Sequence, residues 1–283
     1  MEASRSPRTG QHLLRSGSLA AQLVCSSGID CSHLVFEIGA GTGVLTEALA
    51  ARARRVVAVE LEPRLASRLS ERLTGDDRVE VRVGDVLCEP LPDEPFRAAG
   101  NVPFHLTTRI LHRLLDDPAT PLLRADLIVQ WEAAVKRVAP RHSNLLSVAW
   151  GAWYDFEIVR RLPSSCFRPP PSVDAAHLAI SRRPVPLLAA RDRDAFVTLL
   201  RRGFTPSCGP LHRELSGLLS HTQMKRLASD LGFAPEARAI DLRPAQWAAL
   251  FEFLRKAGSS GPRSTPARTA RRTRGWRHPV PRA

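Results

Sequence analysis

The chain has 283 residues, 43% of them hydrophobic, with a formal net charge of +13. That length supports a substantial core divided over two domains, and no apolar run approaches the ~18 residues of a membrane span. The polar start, Met1 to Gly10, lacks the apolar core of a signal peptide, and the five cysteines form neither a C-x-x-C pair nor a zinc set with the scattered histidines. A cytoplasmic protein with reduced thiols, no metal and no membrane contact is expected.

Taken in order, residues 18–28 read as a helix with Leu19, Leu23 and Val24 on one face. Leu34 to Ile38 is a short apolar strand that runs into Gly39-Ala-Gly-Thr-Gly43 and a helix through about Arg54. Arg55 to Glu60 is a second strand, Leu65, Leu69 and Leu73 mark a second helix, and Val79 to Val83 alternates as a third strand. Phe96 to Gly100 reads as the end of a buried strand, followed by Asn101-Val-Pro-Phe104, a helix over 106–116 and a strand over 125–130. Alternating strands and helices of this kind predict an α/β fold, a parallel sheet with helices on both faces.

The pattern then changes. Asn144 to Trp153 and Phe156 to Leu162 are apolar segments joined by a short polar link, and Ala176 to Ile180 is strand-like again. Strands without long helices between them predict a hairpin or antiparallel edge. From Arg191 to about Lys256 the periodicity is helical. Beyond Ala257, seven arginines with no acid among Gly, Ser, Pro and Thr describe a disordered basic tail. The expected organisation is a cofactor-binding catalytic domain over 1–180, a small all-helical domain over 181–258, and the tail over 259–283. Charge divides along the same boundary. Lys plus Arg against Asp plus Glu is 21 to 21 in residues 1–180 and 20 to 7 in 181–283. A positive charge confined to one segment points to a polyanion partner.

Gly39, Gly41 and Gly43 between a strand and a helix form a cradle in which backbone can approach a nucleoside closely. A dinucleotide site would put its third glycine three residues after the second, where this chain has Val44. Glu60 ends a strand and can accept both hydroxyls of a ribose. Asp85, after the next strand, can take the exocyclic amine of an adenine. With Asn101 at a fourth strand end, the set suits S-adenosylmethionine better than a dinucleotide. No hydride-site acid or base follows the loop, which disfavours a nicotinamide dehydrogenase. Ser165, Cys166 and His177 lack the glycines of a nucleophile elbow, and His105 and His112 read as helix-surface or packing residues.

Phe36-Glu-Ile-Gly-Ala-Gly-Thr-Gly43, Val59-Glu-Leu61, Gly84-Asp85 and Asn101-Val-Pro-Phe104 resemble the motifs of S-adenosylmethionine-dependent ribosomal RNA adenine N6-methyltransferases. The resemblance covers roughly residues 10–255. Two branches compete, the Erm group acting on 23S RNA and the KsgA group dimethylating adjacent adenines of small-subunit RNA. The loop Gly39-Ala-Gly-Thr-Gly43, Gln130-Trp-Glu-Ala-Ala-Val-Lys136, Trp150-Gly-Ala-Trp-Tyr-Asp-Phe156 and Phe167-Arg-Pro-Pro-Pro-Ser-Val-Asp174 look Erm-like. Two departures stand out: Gln11-His12-Leu13 where the family has Gln-Asn-Phe, and Phe104 where many relatives have Tyr.

The resemblance implies a Rossmann-like methyltransferase sheet and a monomer that transfers one or two methyls to N6 of a 23S adenine. Resistance to macrolide, lincosamide and streptogramin B antibiotics would follow. It places the cofactor against Gln11, His12, Leu14, Gly39, Gly41, Glu60, Leu61, Asp85, Val86 and Asn101. In catalysis the Asn101 side-chain oxygen and the Val102 carbonyl would orient the N6 amine. Pro103 would stiffen the turn and Phe104 would stack on the flipped base. Arg109, Arg113, Lys136, Arg137, Arg141, Arg160, Arg161 and Arg168 would line the RNA approach. A non-catalytic RNA or transcription factor on the same fold is the alternative from another class, and intact Asn101 and Phe104 argue against it.

Overall fold

The computed structural model describes residues 12–138, 144–205 and 209–259. Gln11, Arg141, Cys208 and the arginine-rich stretch 260–283 lie outside them. Seven strands form one sheet in the order β4-β3-β2-β5-β6-β9-β7. These are β2 (Leu34–Ile38), β3 (Arg55–Glu60), β4 (Val79–Val83), β5 (Phe96–Asn101), β6 (Leu122–Gln130), β7 (Tyr154–Leu162) and β9 (Ala175–Arg182). The first five pair in parallel, while β9 is antiparallel to both β6 and β7. The antiparallel edge forms as expected, from long β7 and β9. Its cause is topological, because a strand entering from the far end of the sheet needs no crossover helix.

Alternate residues of β2 divide between the two faces. Leu34, Phe36 and Ile38 join one core with α4 (Thr107–Leu115), while Val35 joins the other with α1 (Gly17–Ser27) and α2 (Val44–Ala50). Helix α3 (Pro63–Arg72) packs beside β3 and β4. A two-stranded pairing, β1 (Leu13–Leu14) with β8 (Phe167–Arg168), straps the start of the described chain to the proline-rich loop. Leu14 and Phe167 anchor that strap in a third cluster with Leu23, Ile128 and Leu162.

One expected strand is a helix. Asn144 to Trp153 contains α6 (Leu145–Gly151), capped by the Asn144 side chain, which accepts from Ser147 N at 3.0 Å. Val148, Ala149 and Trp150 are all buried there, and an apolar run enclosed on all sides carries no periodicity that separates helix from strand. Trp150 donates to Asp116 at 2.9 Å, and Trp153 donates to the Leu188 carbonyl at 2.9 Å. Both tryptophans therefore serve packing. Helix α5 (Trp131–Val138) precedes this region, and α7 (Arg193–Gly203), α8 (Leu211–Glu214), α9 (His221–Leu231) and α10 (Pro244–Ser259) follow the sheet. Phe196, Leu200, Trp247 and Leu250 from these helices continue the same hydrophobic cluster as β5 and β6. The helical part thus shares a core with the sheet.

Candidate active site

Parallel strands deliver their C-terminal ends to one edge, and that edge gathers the singled-out residues. A small cleft there is lined by His12, Leu13, Gly39, Gly41, Glu60, Asn101, Val102, Pro103 and Phe104. Two glycines make the convergence sterically feasible. Gly41 has φ +56°, a left-handed backbone that favours glycine, and a Cβ on it would lie 2.9 Å from Leu13 Cδ2, so a side chain here would displace Leu13 from the cleft. A Cβ on Gly100 would meet the Ile38 carbonyl oxygen at 2.5 Å, so β5 can lie close against β2 only with glycine there.

Glu60 is buried, with 2% of its surface exposed. Its two carboxylate oxygens accept from Gly41 N at 2.7 Å and Glu62 N at 2.9 Å. The acid therefore holds the glycine loop by charge-assisted bonds, and each oxygen keeps a lone pair for a further donor. The loop is also tied to its neighbour strand, since Gly39 N donates to the Val59 carbonyl at 2.9 Å.

Asn101 ends β5, and its Nδ2 donates to the His12 carbonyl at 2.5 Å. Anchoring the nitrogen fixes which way the amide faces, and among the described residues Oδ1 accepts no bond. Val102 N donates to the Ile128 carbonyl at 3.0 Å, and Leu106 N closes a turn onto the Pro103 carbonyl at 2.8 Å. Phe104 is half-buried. Its ring centroid lies 5.7 Å from that of His12, and His12 Nδ1 bonds the Pro169 carbonyl at 2.8 Å. A polar amide, a stiff turn and a partly exposed ring thus stand together at one strand end.

Four of the expected cofactor residues lie outside the lining of this cleft. Leu14 turns away into the strap's core, and Leu13, its neighbour of opposite orientation, faces the cleft. A two-residue strand alternates its side chains, so of this pair only Leu13 lines the cleft. Leu61 is 55% exposed beside Glu60. Asp85 is exposed on the loop after β4, accepting from Leu87 N at 2.9 Å. Neither of these nor Val86 lines the cleft.

Glu37 escaped the sequence reading altogether. It is fully buried on β2 beneath the loop, and burial pushes its pKa up to about 8, the nearby Thr46 hydroxyl offsetting only part of that. An acid inside an otherwise apolar strand was the available signal. His177 is also buried, bonded through Nε2 to Asp126 at 2.8 Å, while Arg124 grips the same carboxylate at 2.8 and 2.9 Å. Burial would raise the Asp126 pKa, but the bonds from His177 and Arg124 outweigh it and hold the carboxyl below the usual range. This is a structural network. It ties His177 to Asp126, away from the rejected nucleophile set.

The chain can be set beside known proteins. A family model described as "Ribosomal RNA adenine dimethylase" matches residues 3–256. Mycinamicin-resistance protein MyrB of Micromonospora griseorubida is 35% identical over 94% of this chain and 85% of its own length. Ribosomal RNA small subunit methyltransferase A of Synechococcus sp. (strain JA-3-3Ab) is 34% identical over 87% of this chain and 92% of its own. Among solved structures, the 23S rRNA methyltransferase ErmE superposes with a TM-score of 0.78 at 31% identity, covering 86% of this chain and 99% of that one.

Proposed function

Because the chain belongs to the ribosomal RNA adenine dimethylase family and resembles relatives named rRNA adenine N-6-methyltransferase, we propose that it methylates N6 of an adenine in 23S ribosomal RNA with S-adenosylmethionine as donor. Resistance to macrolide-type antibiotics would be the consequence. The observation that carries the chemistry is the anchored amide of Asn101, whose nitrogen donates to His12 and whose oxygen accepts no bond among the described residues.

Direct displacement at N6 is hampered because the amine lone pair is delocalised into the purine ring. Two acceptors aimed at the amine hold it nearer tetrahedral geometry. Asn101 Oδ1 and the Val102 carbonyl fill that role by accepting from the amine's two N–H groups as its positive charge rises, and the proton the methylated amine then sheds passes to solvent. Phe104 stacks on the extruded base, a contact worth ~1–3 kcal/mol in single-strand sites. Gly39, Gly41 and Glu60 would hold the donor, which when bound supplies an electrophilic methyl on sulfur. The cradle fits it. Backbone at Gly41 is bare, and Glu60 has acceptor capacity left after its two loop bonds. Asp85 would contact the adenine of the donor from its exposed loop.

The choice of 23S over small-subunit RNA rests on the Erm-like stretches Gln130 to Lys136 and Trp150 to Phe156. Identity alone does not favour either branch, since relatives of both kinds match at about one residue in three. The test is incubation with S-adenosylmethionine and unmodified 23S or 16S RNA, followed by primer-extension mapping of N6-methyladenosine and mass spectrometry of the digest. One modified 23S adenine is expected. Methylation confined to 16S RNA transfers the enzyme to the small-subunit branch. Asn101→Ala should lower turnover at least ~100-fold, about 2.7 kcal/mol of transition-state stabilisation, and normal turnover in that variant would sink the mechanism.

A further inference from the structure

A cation–π pair stands on the same sheet edge as Asn101, and the chemistry above makes no use of it. Along that edge β5 is followed by β6, β9 and β7. Trp131 comes immediately after β6, Asp174 immediately before β9, and Arg161 is the penultimate residue of β7. Strands ~4.8 Å apart put Trp131 roughly 5 Å and Arg161 roughly 14 Å along the edge from the strand of Asn101.

These three residues lock one another. The Arg161 guanidinium carbon lies over the Trp131 ring, 4.7 Å from its centroid. Arg161 Nε donates to Asp174 Oδ2 at 2.8 Å, and Asp174 Oδ1 accepts from Ser164 N at 3.1 Å. The Asp174 carbonyl in turn accepts from Trp131 N at 3.0 Å. Yet the Arg161 side chain remains 61% exposed. An exposed cation–π pair contributes only ~0.5–1 kcal/mol to a fold, and an exposed ion pair contributes ~0–1 kcal/mol. Stability alone gives little reason to pin a long arginine from two sides. Recognition gives a better one. A guanidinium with one face on an indole and one edge on a carboxylate offers its other face, already ordered, to a planar partner. Unpaired bases stack on arginine planes in this way.

We propose that Arg161, held over Trp131 by Asp174, is a stacking platform for an unpaired nucleobase beside the methylated adenine. It selects a single-stranded flank, whereas Phe104 holds the target itself. The inference rests on the RNA reading above and deepens it.

The test uses the full chain, Arg161→Lys, which keeps the charge and removes the plane, and Trp131→Leu, which removes the support. Each is titrated by fluorescence anisotropy with a short oligoribonucleotide carrying one central adenine, and with the same strand lacking the base on either side of that adenine. Stacking of this kind predicts roughly tenfold weaker binding by Arg161→Lys. The wild type should lose the same factor on one of the abasic strands, and the variant should lose no more there. In methylation assays the change should appear in KM for RNA and leave kcat unaltered. Equal weakening of intact and abasic strands would assign Arg161 to phosphate or fold, and unchanged binding would remove it from recognition. Either result overturns the platform. Because binding is read without turnover, failure to methylate any ribosomal RNA would count against the function and leave the platform standing if the coupling is seen.

Discussion

Replacing Glu60 by Gln separates two jobs that the structure assigns to one carboxylate. The side chain is buried and accepts from Gly41 N and Glu62 N at 2.7 and 2.9 Å. A glutamine keeps the volume but turns an NH2 group toward one of those N–H donors. A bond to a charged acceptor is worth ~1.5–3 kcal/mol, and a buried donor left unpaired costs ~1–3 kcal/mol. A loss of ~2–3 kcal/mol from the fold lowers the melting temperature by roughly 4–12 °C at this chain length. Ribose hydroxyls also lose a charged acceptor, so affinity for S-adenosylmethionine should fall ~10–100-fold, at 1.4 kcal/mol per decade. Thermal melts monitored by circular dichroism read the first effect, and isothermal titration with S-adenosylmethionine on the folded variant reads the second. Cofactor affinity within about threefold of the wild type, less than 1 kcal/mol, would refute the ribose contact. An unchanged melting temperature would refute the role in holding the loop.

Other perturbations test the remaining parts. Glu37 has its pKa raised by burial to about 8 from 4.5, so its contribution to stability is fully present below pH 4.5 and is lost as pH rises to about 8. Glu37→Gln should therefore melt higher than the wild type at pH 8 and near it at pH 4.5, and parallel melting curves across that window would contradict the assignment. Asp126→Asn removes the partner of Arg124 and His177, and should cost ~3–5 kcal/mol as measured by urea unfolding; a change under about 1 kcal/mol would show the network to be dispensable. Deleting 259–283, which carries seven arginines and no acid, should weaken RNA binding and flatten its salt dependence while leaving measurable methylation. An undiminished salt slope would exclude the tail from phosphate contacts.

Much of the site could be located in the sequence because its chemistry is local. Gly39 to Gly43, Glu60 and Asn101 to Phe104 each follow a strand whose hydrophobic run announces itself, and parallel strands must bring their C-terminal ends to one edge. Strand β7 and strand β9 were equally legible, from apolar segments with no helix between them. Local pattern failed where enclosure erased it. Ser147 to Gly151 are all buried, so their helix depends on the Asn144 cap and on packing against α7 and α10, which no window of sequence displays.

Pairings between distant segments were the other thing the sequence withheld. Residue types alone determined the fold class, the excess of positive charge after residue 180 and the amide, turn and ring at 101–104. Only the folded chain decided that Leu13 faces the cleft while Leu14 leaves it, that the His12 carbonyl takes the Asn101 nitrogen, and that Arg161 comes to rest on Trp131. Each of these depends on pairings between distant segments: Leu13 with Arg168, His12 with Asn101, and Trp131 with Arg161. Hydrophobic periodicity reports which face of an element is buried, whereas the partner across that face is set by how the elements pack.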